Sequence, residues 1–173
     1  MGGSTYAGKS TLTDLICSKY GITPYHGDDH VGLERIEPQK HLTYHPVSRL
    51  SWNELWMRPV DIQVSTGIEV LREWFGMMME DLLQTDGSIS ILAESAALLP
   101  DLVADVSGES TKAIWLISSE KFLRSRYPQR TELLNYALSG CKNPETAFDN
   151  WMSRDAAISM SMVQERSKTP PKR

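Results

Sequence analysis

Apolar residues recur every three or four positions in two long stretches, which predicts two long amphipathic helices. The first helix opens at Pro59, and its apolar positions are Val60, Val64, Ile68, Leu71, Phe75, Met78 and Leu82. The second is capped by Asn143, opened by Pro144 and extends to about residue 167. Its inner positions are Ala147, Trp151, Ile158 and Met162. We expect both faces to be buried, the first of them against a sheet.

Three shorter helices are predicted as well. One follows residue 10 with an apolar stripe of Leu12, Leu15 and Ile16, and Gly21 provides its left-handed C-terminal cap. A capping box, Ser51 with Glu54, starts the second. The third begins near Leu98, with Pro100 in its first turn.

Three short apolar runs predict strands, at residues 22–26, 88–94 and 113–117. Alternation of strands and helices is typical of an α/β fold with a parallel sheet. The first run is followed by Gly27-Asp28-Asp29-His30, and the second ends in Glu94. Because the carboxyl ends of parallel strands share one edge, we expect these acids to meet where ligands and catalytic groups collect.

Residues 3–10, Gly-Ser-Thr-Tyr-Ala-Gly-Lys-Ser, fit the phosphate-binding pattern G-x-x-x-x-G-K-[ST] in full. Such a loop points backbone N–H groups at an anion, and the helix behind it adds its positive end. Lys9 would reach the outer phosphates of a nucleotide, and Ser10 would place its hydroxyl on Mg²⁺. The alternative is a glycine-rich turn ahead of a helix.

Acids and cations at the strand ends complete the candidate chemistry. Asp28 or Asp29 would accept the proton of an acceptor hydroxyl or orient Mg²⁺, and Glu94 would be linked to Mg²⁺ or orient water. The alternatives are solvated loop acids for Asp28 and Asp29 and, for Glu94, a partner of Lys9 or a cap of the next segment. Residues 120–131 form a predicted lid over the phosphates, with a solvated basic helix as the alternative. The lid cations are Lys121, Arg124, Arg126 and Arg130.

Residues 31–49 are predicted to be an irregular loop that forms an acceptor-binding flap. The pairs His26/His30 and His41/His45 have the spacing of helical metal ligands, but Gly27 and Pro46 make regular helices doubtful there, and ordinary loop histidines are favoured. Arg58 and Arg72 are either contacts of an anionic acceptor or solvated helix charges. Candidates for the lining of an acceptor pocket are His30, Trp52, Trp56 and Arg58.

Length and charge narrow the class of protein. The 173 residues fit one domain, residues 1–173, with a frayed, flexible tail at 168–173. A formal charge of −4 argues against nucleic acid or a membrane surface as partner and favours a small molecule. Two cysteines imply no disulfide framework, and no apolar run reaches membrane-span length, so a cytoplasmic location is expected.

In this order the features resemble the small-molecule kinases of the P-loop superfamily: the nucleoside monophosphate kinase, uridine kinase and gluconate kinase group. Residues 91–100 and 122–127 also resemble 2-phosphoglycerate kinase-like proteins. The resemblance implies a three-layer P-loop NTPase sheet of five parallel strands with helices on both faces. Only Met1 and Gly2 precede the loop, and we expect the first and last strands to be absent, leaving an incomplete sheet whose apolar edges favour self-association.

The resemblance also implies the site residues. ATP and Mg²⁺ are the expected cofactors. Asp28 is expected to be the base or metal partner. Lys9 is expected to be catalytic, as are the lid cations Arg124, Arg126 and Arg130. The expected nucleotide-binding residues are Gly3, Ser4, Thr5, Ala7, Gly8, Lys9, Ser10 and Thr11. The expected metal-linked residues are Ser10, Asp29 and Glu94. Ser95 stands where these kinases usually have glycine.

Three functions follow from these observations. The favoured one is an ATP-dependent phosphotransferase acting on a small-molecule metabolite. A second is an ATP-binding or ATP-hydrolysing module without an acceptor, although such a module has little use for residues 27–56. The third is an inactive truncated kinase.

Overall fold

The computed structural model describes residues 1–108 and 111–168 as a mixed α/β protein with short parallel strands. The predicted tail beyond Lys168 lies outside the described residues. The strands are β1 (Gly2–Gly3), β2 (Thr23–His26), β3 (Ile91–Glu94) and β4 (Trp115–Leu116). The helices are α1 (Lys9–Tyr20), α2 (Tyr44–Val47), α3 (Trp52–Trp56), α4 (Val60–Leu83), α5 (Pro100–Val106), α6 (Glu120–Arg126), α7 (Thr131–Leu138) and α8 (Pro144–Lys168).

The strands form two parallel pairs, β2 with β3 and β1 with β4. Met1 connects the pairs: its amino group donates to the carbonyl of Ala93, and its carbonyl accepts from the N–H of Ser95 at 3.2 Å. The strands therefore follow one another in the order β2, β3, β1, β4. Their carboxyl ends bring three features to one edge: residues 3–10, called the phosphate loop here after their sequence pattern, the 3₁₀ helix Gly27–His30 that follows β2, and Glu94.

The structure has a strand, β1, at the start of the phosphate loop, where the sequence analysis expected none. Gly2 and Gly3 form that strand because they can lie flat against β4. A Cβ atom at Gly2 would stand 2.4 Å from Nε1 of Trp115 and 2.5 Å from the carbonyl oxygen of Leu98. Gly2 therefore has no room for a side chain, so this strand lacks the run of apolar residues by which a buried strand is usually recognised in a sequence.

All five predicted helices are present in the described part of the chain. Asn143 accepts from the N–H of Thr146 at 3.1 Å, as a cap of α8 should, and the Ser51–Glu54 capping box of α3 is complete. The apolar stripe predicted for α1 is wrong: Leu15 is 64% exposed, and the buried positions are Lys9, Thr13 and Cys17. Residues 31–49, predicted to be irregular, contain a 3₁₀ turn at Leu33–Arg35 and the short helix α2.

Two apolar clusters hold the elements together. The larger contains Phe75 and Met78 of α4 with Leu99, and the smaller contains Trp56, Leu123 and Trp151. Helix α8 contributes to both and packs against α3, α4, α5, α6 and α7. Among the described residues, no helix combines the length and apolar character needed to cross a membrane.

Candidate functional site

The phosphate-loop sequence forms a tight turn between β1 and α1. Tyr6 (φ 60°) and Gly8 (φ 82°) both adopt the left-handed conformation. Nothing lies within 4 Å of where a Cβ of Gly8 would be, so the backbone angle rather than space favours glycine there. Helix α1 begins at Lys9 without a side-chain cap. The first-turn N–H groups therefore remain available to an anion.

Hydrogen bonds of Lys9 and Ser4 hold this loop in its conformation. The Nζ of Lys9 donates to the carbonyl oxygen of Ser4 at 3.0 Å, and only 7% of Lys9 is exposed. The hydroxyl of Ser4 accepts from the N–H of Ser118, beyond β4, at 3.0 Å. Burial lowers the pKa of Lys9, while the nearby carboxylates of Asp28 and Glu94 oppose this shift. The ammonium group is thus partly desolvated, which strengthens its attraction for an anion.

Glu94 ends β3, is buried, and contacts a histidine that reaches the surface. Only 2% of Glu94 is exposed, and its Oε1 lies 2.9 Å from Nδ1 of His26. The other ring nitrogen of His26 lies 3.0 Å from Oδ1 of Asp14 on α1. The hydrogen bond with Glu94 raises the pKa of His26. The Oε2 of Glu94 is buried and has no hydrogen-bond partner among the described residues.

The structure separates the two acids that follow β2. Oδ1 of Asp28 accepts from the hydroxyl of the buried Ser95 at 2.7 Å, and Asp28 lines the cavity next to the phosphate loop. Asp29 is exposed and is not part of that lining. Ser95, which stands where the resembling kinases have glycine, therefore positions Asp28.

A cavity of about 730 Å³ adjoins the phosphate loop. Residues of α3, α4, α7 and α8 surround it, drawn from both apolar clusters. Of the predicted pocket residues, Trp52, Trp56 and Arg58 line it. His30 does not: its ring stacks on that of Tyr25 with centroids 4.5 Å apart. A volume of this size is typical of small-molecule sites.

The three predicted lid arginines lie in different surroundings. Arg130 lines the cavity, with its guanidinium carbon 4.5 Å from the ring centroid of Tyr6. Arg124 forms ion pairs with Glu120 (2.9 Å) and Asp149 (2.7 Å). Arg126 donates to Gln129 at 3.1 Å and lies over the ring of Phe122. Only Arg130 of the three therefore lies at the cavity in this conformation.

The sequence analysis missed several residues at the cavity. They include Tyr6, Gln63, Tyr127, Arg154 and Asp155. The hydroxyl of the buried Tyr127 donates to Asp155, and the negative charge beside it together with burial raises the pKa of Tyr127. A signal for Asp155 was present: it follows Trp151 by four positions and precedes Ile158 by three, so an acid falls on the buried face of a helix.

Comparison with known proteins identifies no relative: no family model, curated protein or solved structure matches this chain. Within residues 1–108 and 111–168, no group of three or more His, Cys, Asp and Glu side chains has the arrangement of a metal site.

Proposed function

We propose that the chain is an ATP-dependent kinase that phosphorylates a small-molecule metabolite. The observation that carries this proposal is the position of Lys9. Lys9 is the first residue of a helix without a side-chain cap, it is buried, and its ammonium group donates to the carbonyl of Ser4 in the phosphate loop. Ser4 in turn lines a cavity large enough for an acceptor. A nucleotide phosphate and a second small molecule could then bind side by side.

The residues present fit ATP and Mg²⁺. The loop offers unbonded first-turn N–H groups to phosphate oxygens, and Gly8 leaves the approach open. Ser10 is exposed on the first turn of α1, where its hydroxyl is available to Mg²⁺. The unpartnered Oε2 of Glu94 is a buried acceptor suited to a metal-bound water, and Asp29 adds an exposed carboxylate. When bound, MgATP supplies the phosphoryl group and a divalent charge.

The chain's own groups divide the remaining tasks. Lys9 binds the outer phosphates, and the carboxylate of Asp28, oriented by Ser95, takes the proton of the acceptor hydroxyl. Arg130 contributes positive charge from the lid side of the cavity, and Arg124 and Arg126 would need to leave their present partners to join it. Catalysis here is mainly positioning and charge neutralisation.

The strand order supports the finer proposal of a three-layer P-loop sheet. Met1 hydrogen-bonds to Ala93 and Ser95 of the β3 region while Gly2 and Gly3 pair with β4, so the loop-bearing strand lies between two parallel neighbours. Loop and acids then share the carboxyl edge, which is where doubly wound proteins bind ligands. The cavity favours the kinase over an ATP-hydrolysing module without an acceptor, which has no need of it.

Calorimetric titration with MgATP tests the proposal. Wild-type protein should bind in the micromolar range, and Lys9→Ala should bind about 10- to 100-fold more weakly because a charged hydrogen-bonding contact is lost. Lys19→Ala removes an exposed lysine from the other end of the same helix and should bind like wild type. Thermal melts confirm that each variant is folded. Absence of binding by the wild-type chain, or equal effects of the two substitutions, contradicts the proposal.

A further inference from the structure

Two arginines line the cavity on its α3–α8 side. Arg58 follows α3, Arg154 belongs to α8, and both line the cavity. Arg154 lies over the ring of Trp56, with its guanidinium carbon 4.9 Å from the ring centroid. The positive charge of Arg154 lowers the pKa of Arg58, in addition to the larger effect of burial. Two positive charges close together in a partly desolvated cavity destabilise the folded protein unless a negative charge compensates them.

The acids of the cavity do not provide that counter-charge for Arg58. Asp155 accepts from Nε of Arg154 at 2.9 Å and from the hydroxyl of Tyr127. Asp28 is at the phosphate loop, bonded to Ser95. Within the described part of the chain, no carboxylate lies within ion-pair distance of Arg58, whose Nε contacts only the carbonyl of Leu55 at 3.5 Å. The positive charge of Arg58 is therefore left uncompensated by the described residues.

Gln63 holds this region in place and adds an acceptor. Its side-chain nitrogen donates to the carbonyls of Trp56 (3.0 Å) and Arg58 (2.7 Å), and Asn150 of α8 donates to Trp56 as well, at 2.9 Å. Because two carbonyls face the nitrogen, the amide orientation of Gln63 is fixed. Its Oε1 is then buried with no partner among the described residues, although Gln63 is only 2% exposed and lines the cavity.

We infer that Arg58 and Arg154 bind an anionic group of the acceptor, a phosphate monoester or a carboxylate, and that Oε1 of Gln63 accepts from one of its hydroxyls. This inference rests on the proposed kinase function and names the class of acceptor: a small hydroxylated anion. Anion binding supplies the missing counter-charge of Arg58, and a hydroxyl donor satisfies the buried oxygen. The hydroxyl that receives the phosphoryl group then lies toward Asp28 and the phosphate loop.

Binding of three matched probes in the absence of ATP tests the inference: glycerol 3-phosphate, glycerate and glycerol. Four of the five tryptophans line the cavity, so intrinsic fluorescence reports occupancy directly, and calorimetry gives the affinity. We expect at least one of the two anions to bind and glycerol not to bind. Whichever anion binds more tightly identifies the anionic group as phosphate or carboxylate.

Substitutions locate the anion. Arg58→Gln should weaken binding about tenfold or more, Arg58→Lys should restore part of it, and Arg49→Gln, an equal charge change at an exposed position outside the cavity, should have no effect. Lys9→Ala should leave anion binding intact while MgATP binding weakens about 10- to 100-fold, so the two proposals can fail separately. Equal binding of glycerol, no effect of Arg58→Gln, or loss of anion binding only in Lys9→Ala would overturn the inference.

Discussion

Nδ1 of His26 lies 2.9 Å from Oε1 of Glu94, so the ends of β2 and β3 are joined by a hydrogen bond at the edge that carries the candidate site. The same imidazole contacts Asp14 on α1 at 3.0 Å. His26 thus links two strands to the helix that follows the phosphate loop. Its pKa is raised, chiefly by the hydrogen bond with Glu94.

This network predicts a pH-dependent stability. Because the folded-state pKa of His26 lies above its unfolded value of about 6.5, its stabilising contribution is complete below about pH 6 and declines as pH rises through the folded-state pKa. His26→Gln should therefore lower the free energy of unfolding by about 1–3 kcal/mol below about pH 6, and by less at higher pH. Urea unfolding across a pH series measures this difference. A difference that stays constant with pH would contradict a charged His26.

His45→Gln is the matched control for that experiment. His45 is half-buried, and no acid lies within ion-pair distance of it among the residues that the structure describes. Its substitution should give no comparable decline with pH.

Sequence reasoning predicted helices correctly where the apolar periodicity extends over many turns or a capping box marks the first turn. Helices α4 and α8 carry apolar positions over many turns, and both are present. The four inner positions predicted for α8 are buried, whereas of the seven predicted for α4 only Leu71, Phe75 and Met78 are buried and the other four are half-buried. Sequence reasoning failed where polar side chains or closely packed glycines stand in place of apolar side chains. The buried face of α1 is Lys9, Thr13 and Cys17 because the helix turns its lysine inward toward the loop.

Much of the candidate site arises from contacts distant in sequence, which no local pattern encodes. Tyr6 meets Arg130, and Trp56 meets both Arg154 and Trp151, across separations of about 100 residues. The sequence did not distinguish the four cations of the predicted lid from one another, and all were expected to act on phosphates. In the structure, Arg124 forms ion pairs with two acids, whereas Arg130 lies over the ring of Tyr6. Asp155 was the exception, because an acid on an otherwise apolar helix face is itself a signal.

Asp28→Asn should slow phosphoryl transfer far more than it weakens ATP binding. The amide keeps the hydrogen bond with Ser95 but cannot take a proton, so we expect turnover of MgATP to fall about 10²- to 10⁴-fold. The dissociation constant for MgATP, measured by calorimetry, should change by less than about threefold. Asp61→Asn, at an exposed position on α4, controls for the loss of one negative charge. Equal losses of turnover and affinity would make Asp28 a binding residue.

The lid arginines should differ in what they affect. Arg130→Gln should lower turnover about tenfold or more, because Arg130 lies at the cavity beside Tyr6. Arg124→Gln should mainly reduce stability, by less than about 1 kcal/mol for each of its two largely exposed ion pairs. Turnover assays and thermal melts of both variants measure the contrast. An equal loss of turnover would show that the lid rearranges and releases Arg124 from Glu120 and Asp149.

Gly27→Ala should destabilise the junction between β2 and the Asp28 loop. The added Cβ would stand 2.5 Å from Cε of Met78 and 2.9 Å from Cβ of Ser95, and Met78 is fully buried, so its side chain has little room to move. We expect a loss of about 1–3 kcal/mol in urea unfolding. Gly76→Ala is the control: no atom lies within 4 Å of the new Cβ on α4, and the substitution should stabilise the helix by about 0.5–1 kcal/mol. Destabilisation by both substitutions would contradict a steric origin at Gly27, since only one site is crowded.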